Sequence, residues 1–103
     1  MPRKKTNGSP RYVMISVVAE QYGIHPQTLR LYEREGLIEP ARSAGNTRLY
    51  DQRAIERLEA ILTLTRDLGV NLAGVEVILN LRDQLASLEA ETVRLAAEIH
   101  RQA

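Results

Sequence analysis

Apolar positions recur along this chain first in short interrupted runs and then in a long regular stripe. The run Val13-Met14-Ile15 precedes Ser16, whose hydroxyl is placed to cap a helix through Val17, Val18, Ala19 and Glu20 to Tyr22. Gly23 then supplies the stop. After Ile24 come His25 at an N-cap position and Pro26 at the first helical position, where a missing N–H costs nothing. The second helix runs QTLRLYERE and ends at Gly36, so a tight turn joins two short helices in a helix-turn-helix. Leu37 to Pro40 reads as extended, and Ala41 to Tyr50 as two short strands around a Gly45-Asn46 turn, a wing with an arginine on each side. Asp51 can cap a third helix, in which Ile55, Leu58, Ile61, Leu62, Thr65 and Leu68 keep helical spacing up to Gly69. Asn71 caps a fourth, carrying Leu72, Val75, Ile78 and Leu79.

From Leu81 the steps alternate between four and three through Leu85, Leu88, Thr92, Leu95 and Ile99. This is a heptad seam, with Leu81, Leu88 and Leu95 at d and Leu85, Thr92 and Ile99 at a. A lone helix of ~20 residues is marginal in water. The seam is therefore expected to meet a second copy of the chain, with Leu81, Leu85, Leu88, Leu95 and Ile99 as dimerisation residues. The competing arrangement folds the helix back on its own domain, but the stripe extends past every other element. The expected fold is mainly α: a winged helix-turn-helix with a small β-hairpin wing over residues 11–80 and a C-terminal dimerisation coiled-coil helix over 81–103. Residues 1–10 are expected to form a flexible basic arm.

Composition narrows the chemistry. With no Phe and no Trp among 103 residues, Leu, Ile, Val and Ala must build the core, a palette suited to packed helices. The absence of Cys removes disulfides, thiolate metal sites and thiol sensing, and fits a reducing compartment. No stretch reads as a signal peptide or a membrane span, so a cytoplasmic, nucleoid-associated protein without membrane partners is expected. Through residue 48 there are eight Lys/Arg against four Asp/Glu, net +4, and beyond it six Arg against nine acids, net −3. A phosphate-facing half and a partner-facing half would divide in this way.

Catalysis has no support. His25 and His100 are far apart in sequence and lack a partnered acid, a phosphate loop or a nucleophile motif, so no catalytic residue, metal site or cofactor is expected. His25 suits a capping role or a phosphate contact, and His100 is expected in solvent.

The second helix carries the readers of a DNA major groove. Gln27 offers a bidentate amide to adenine, Arg30 and Arg34 offer forks to guanine, and Thr28 can touch a thymine methyl or a phosphate. Tyr32 could anchor the helix to the core or reach a phosphate with its hydroxyl, and its sequence position favours neither. Arg42, Asn46, Arg48 and Tyr50 are the wing's candidate DNA contacts. Ser16 and Asn71 are candidate phosphate contacts, each at a helix N-terminus.

The run ISVVAEQYGIHPQTLRLYEREGLIEPARSAGNTRLYDQRAIERL resembles the MerR family of transcription regulators, with its series T-L-R, Y-E, G-L-I, P-A-R and R-L-Y in order. HPQTLR and NLAGVEVI look like the HspR branch of heat-shock repressors, although NLAG-like and PARS-x-GN-like strings also occur in the nitrogen-control branch. The resemblance implies DNA contacts at Arg30, Tyr32, Arg42 and Arg48. Leu31 departs from the aromatic usual in the family, at the place of one aromatic contact near the operator, although HspR-like members tolerate a non-aromatic there. The family typically distorts its operator and dimerises through an antiparallel coiled coil. With the heptads running to residue 103 no effector-binding domain is expected, and with no Cys in the sequence neither is metal or thiol sensing of the classical MerR type.

The function these readings imply is a homodimeric repressor on an inverted-repeat, double-stranded operator; the HspR resemblance further implies stress or chaperone genes as its targets and a DnaK-type chaperone as co-repressor. Two alternatives stand beside it: a MerR-like chaperone modulator or adaptor that does not bind DNA, and an activator that distorts its promoter.

Overall fold

The computed structural model describes residues 12–102, and the basic arm expected over 1–10 lies outside the described residues. The elements are β1 (Val13–Met14), α1 (Ile15–Tyr22), α2 (Pro26–Arg34), β2 (Ala41–Arg42), β3 (Arg48–Tyr50), α3 (Gln52–Leu62), a π-helical turn (Thr63–Asp67) and α4 (Leu72–Gln102). The chain forms two compact units that divide between Thr63 and Leu64.

In the first unit, α1 and α2 are set by their ends. At the close of α1 the Gly23 amide donates to Glu20 O and the Ile24 amide to Ala19 O, with Gly23 at φ 61°. The close of α2 repeats this with Gly36 donating to Glu33 O and Leu37 to Tyr32 O, Gly36 at φ 77°. Both are Schellman motifs, which need a left-handed residue that glycine adopts without a Cβ penalty. The start of α2 is as expected: His25 Nδ1 accepts the Gln27 amide at 3.0 Å, with Pro26 in the first position.

The start of α1 is a correction. Its N-cap is Met14, which makes no side-chain cap bond, and Ser16 is the second residue of the helix. The apolar run before it is a strand: β1 pairs antiparallel with β3, Val13 opposite Tyr50 and Met14 opposite Leu49. The sheet therefore has three strands in the order β1-β3-β2, the expected hairpin plus one strand. The hairpin turn spans Ser43 to Thr47. Asn46 donates to Ser43 O at 2.9 Å and takes the left-handed position at φ 66°, the pattern of a three-residue hairpin loop.

Val18, Leu29, Tyr50, Leu58 and Ile61 are fully buried and form the centre of the first unit. Asp51 caps α3 by accepting the Ala54 amide at 2.9 Å. Regular α-helix stops at Leu62, short of the predicted Leu68. A π-turn follows, which adds a residue to the helical repeat, and Leu68 beyond it is 66% exposed.

In the second unit, Asn71 Oδ1 accepts the Gly74 amide at 2.8 Å and starts α4, a continuous helix of 31 residues. No break in the backbone falls between residues 80 and 81. Val75 and Leu79 are buried, whereas Leu81, Leu85, Leu88, Leu95 and Ile99 are all exposed. The polar seam residue Thr92 turns its hydroxyl to the Leu88 carbonyl of its own helix at 2.9 Å.

Candidate nucleic-acid interface

The residues of α2 sort by face. Leu29 and Tyr32 are buried, three residues apart on the inner side. Gln27 and Arg34 are exposed on the outer side with Arg30 half-buried between them, and Thr28 and Leu31 are half-buried at the margins. A helix with its apolar side anchored and its polar, cationic side free is what a groove reader requires.

The wing supplies the opposite wall. Arg30, Glu33 and Arg34 of α2, Pro40, and Arg42 and Arg48 of the hairpin line one cleft of about 460 Å³. Four arginines thus converge from three elements, α2, β2 and β3, and a low-dielectric wall beneath such a set concentrates its field toward an anion. Arg42 Nη1 reaches Asn46 O and Oδ1, each at 3.4 Å. Those are long contacts, so the wing arginine is loosely steered by the turn rather than consumed by it. Arg48 is held more closely: its Nε lies 2.7 Å from Glu33 Oε1.

Glu33 also accepts the Tyr50 hydroxyl, through Oε2 at 2.9 Å. Tyr50, expected on the face of the wing, is instead fully buried, because position 50 of β3 points into the core. Burial first, and then the adjacent Glu33 carboxylate, push its phenol well above the ordinary tyrosine range, against a smaller opposing effect of Arg48. A neutral phenol donating to Glu33 is the form held at any physiological pH. Tyr32 is buried as well, so its ring anchors α2 to the core.

Ser16 does not line the cleft, and Asn71 belongs to the second compact unit, where its side chain caps α4. Glu33 and Pro40 are residues of the site that sequence reasoning did not single out. Only the parts are local, an acid one helical turn from Arg30 and an R-x-Y pair whose alternate positions share one strand face; that they meet depends on β3 folding back against α2. Among the described residues no three His, Asp or Glu side chains converge to hold a metal ion.

Residues 13–81 match the family model described as MerR HTH family regulatory protein. The chain belongs to the MerR family. MerR proteins are transcription regulators rather than enzymes, in keeping with a site of cationic and amide groups. The chain is 47% identical over 98 residues to the Streptomyces coelicolor protein named "Putative heat shock protein HspR", covering 95% of this chain and 64% of that one. It is 32% identical over 87 residues to the ZntR homolog of Haemophilus influenzae, an HTH-type transcriptional regulator, covering 84% of this chain and 63% of the relative. The chain thus spans just under two thirds of the length of both relatives. Among solved structures, a MerR family transcriptional regulator from Bacillus cereus superposes with a TM-score of 0.59 at 25% identity, over 86% of this chain and 75% of that one. The MerR regulator HiNmlR shares the fold with a TM-score of 0.60 at 21% identity, over 88% of this chain and 75% of its own; that protein is described as lacking the sensor domain and bound to promoter DNA. Among the described residues no helix is long and apolar enough to cross a membrane.

Proposed function

We infer that this MerR-family protein is a homodimeric repressor that binds an inverted-repeat operator in double-stranded DNA. The observation that carries the reading is the cleft between α2 and the wing, where Arg30, Arg34, Arg42 and Arg48 come together beside the outward Gln27. α2 enters the major groove, with Gln27, Thr28, Arg30 and Arg34 toward base edges, and the wing arginines, with Asn46, lie along flanking phosphates. The sensor-less relative described on promoter DNA supports this mode.

Residues 81–103 serve as the dimerisation segment, two copies packing antiparallel through Leu81, Leu85, Leu88, Leu95 and Ile99. The exposure of this whole stripe in a single chain supports that role, since water-exposed leucines at a heptad spacing are stabilised by a partner helix. The 47% identity to an HspR protein favours stress or chaperone genes as targets, a DnaK-type chaperone as co-repressor and action at the nucleoid in the cytoplasm. An adaptor that had given up DNA would have no use for four arginines in one cleft.

Selection of bound sequences from a random duplex pool tests the reading. An enriched inverted repeat, bound more weakly as salt rises, is the expected outcome, with log K falling by ~0.9 per neutralised phosphate. Failure to retain any duplex at low salt would overturn it.

A further inference from the structure

The cleft holds one acid among its four arginines, Glu33. A carboxylate on a phosphate-facing surface weakens anion binding unless its charge is already committed. Glu33 is committed twice, to Arg48 at 2.7 Å and to the Tyr50 hydroxyl at 2.9 Å. Both partners lie on β3 and Glu33 lies on α2, so one side chain, only 9% exposed, joins the reading helix to the wing.

The geometry at Arg48 is specific. Its Nε is buried and its N–H is not aligned for a hydrogen bond, so the contact is an ion pair that fixes one edge of the guanidinium. The terminal nitrogens have no protein partner among the described residues, and the side chain remains 33% exposed. An unrestrained arginine gives up rotamer freedom when it meets a phosphate; one already held by its inner edge has given it up beforehand.

We propose that Glu33 is a positioning residue for nucleic-acid contact: it holds Arg48 by Nε so that the terminal nitrogens present a fixed fork to one backbone phosphate. The wing's phosphate contact thereby depends on the placement of α2, and the two walls of the cleft bind as one body. The proposal rests on the DNA-binding reading above.

A double-mutant cycle tests it. A mixed-sequence duplex is titrated at low salt with the full chain, with Glu33→Gln, with Arg48→Ala and with both substitutions together. Glu33→Gln keeps the side chain's size and an acceptor for the Tyr50 hydroxyl, and removes the charge that holds Arg48. With Arg48 present, Glu33→Gln is expected to weaken binding, on the order of threefold to tenfold. In the Arg48→Ala background it is expected to strengthen binding, because only the loss of a repelling charge is left. That reversal of sign is the signature.

If Glu33→Gln strengthens binding in both backgrounds, Glu33 is a plain repelling charge; if it weakens both by one factor, it acts through the fold. Either outcome overturns the proposal. Tyr50→Phe separates stability from positioning, since it removes the other partner of Glu33 and leaves the ion pair. Its unfolding midpoint is expected to fall with little change in affinity, and a loss of affinity equal to that of Glu33→Gln overturns the proposal. An unsubstituted chain that binds no duplex overturns the DNA-binding reading and this inference with it, and is told apart by occurring before any substitution.

Discussion

The Tyr22 hydroxyl donates to Glu59 Oε2 at 2.7 Å and so ties the end of α1 to the middle of α3. Partial burial, followed by this hydrogen bond and the charge of Glu59, raises the phenol from its ordinary value of 10.0 to about 12. The neutral phenol is the form the folded state prefers, so the stabilisation is complete below the unfolded value of 10.0 and is lost as pH rises through about 12. Thermal unfolding of the protein and of Tyr22→Phe should differ by a constant amount up to pH 10 and converge toward pH 12. A difference that persists unchanged to the top of that window would show that the hydroxyl is not responsible.

Arg30 and Arg42 should fail differently. Arg30 projects from α2, and if it reads a base its replacement by Ala should relax specificity by ~1–3 kcal/mol, seen as a smaller gap between selected and mixed-sequence duplexes. Arg42, held only by 3.4 Å contacts to Asn46, is placed for a phosphate. Arg42→Ala should weaken all sequences alike and lower the salt slope by ~0.9. Competition titrations at several salt concentrations distinguish the two effects.

Leu88 is 64% exposed near the middle of the seam. Leu88→Glu would place a charge inside the proposed helix pair, and light scattering should report a monomer whose operator affinity has fallen too, since two half-sites act together. A variant that stays dimeric would move the dimer interface off this stripe.

Asn71 provides a separate check on the cap of α4. Asn71→Ala removes the acceptor for the Gly74 amide and should cost ~0.5–2 kcal/mol in urea unfolding. If Asn71 also meets a phosphate, the salt slope of DNA binding falls in the same variant. An unchanged slope leaves the side chain with its capping role alone.

What the sequence made legible was local. His25-Pro26, Asp51, Asn71 and the glycines at 23 and 36 act across three to five residues, and the bonds expected of them form. What it hid depended on distant chain. Val13 becomes strand only because Tyr50 lies opposite it, and a two-residue strand has no periodicity of its own. Once that strand exists the helix begins after Met14, and Ser16 falls inside it. The π-turn from Thr63 to Asp67 interrupts a stripe whose spacing looked continuous. The arginines of the site could be read from residue type and element, but Glu33 could not, because its role depends on β3 folding back against α2.

The division of α2 into two faces also bears on how such a protein can change over time. Leu29 and Tyr32 anchor the helix, and Glu33 fastens it to the wing, while Gln27, Arg30 and Arg34 have no part in the buried core. Exchanges at the outer positions can therefore retarget the protein to new DNA sequences without spending stability. A lineage of such regulators can diverge in what it recognises while every member keeps the same scaffold.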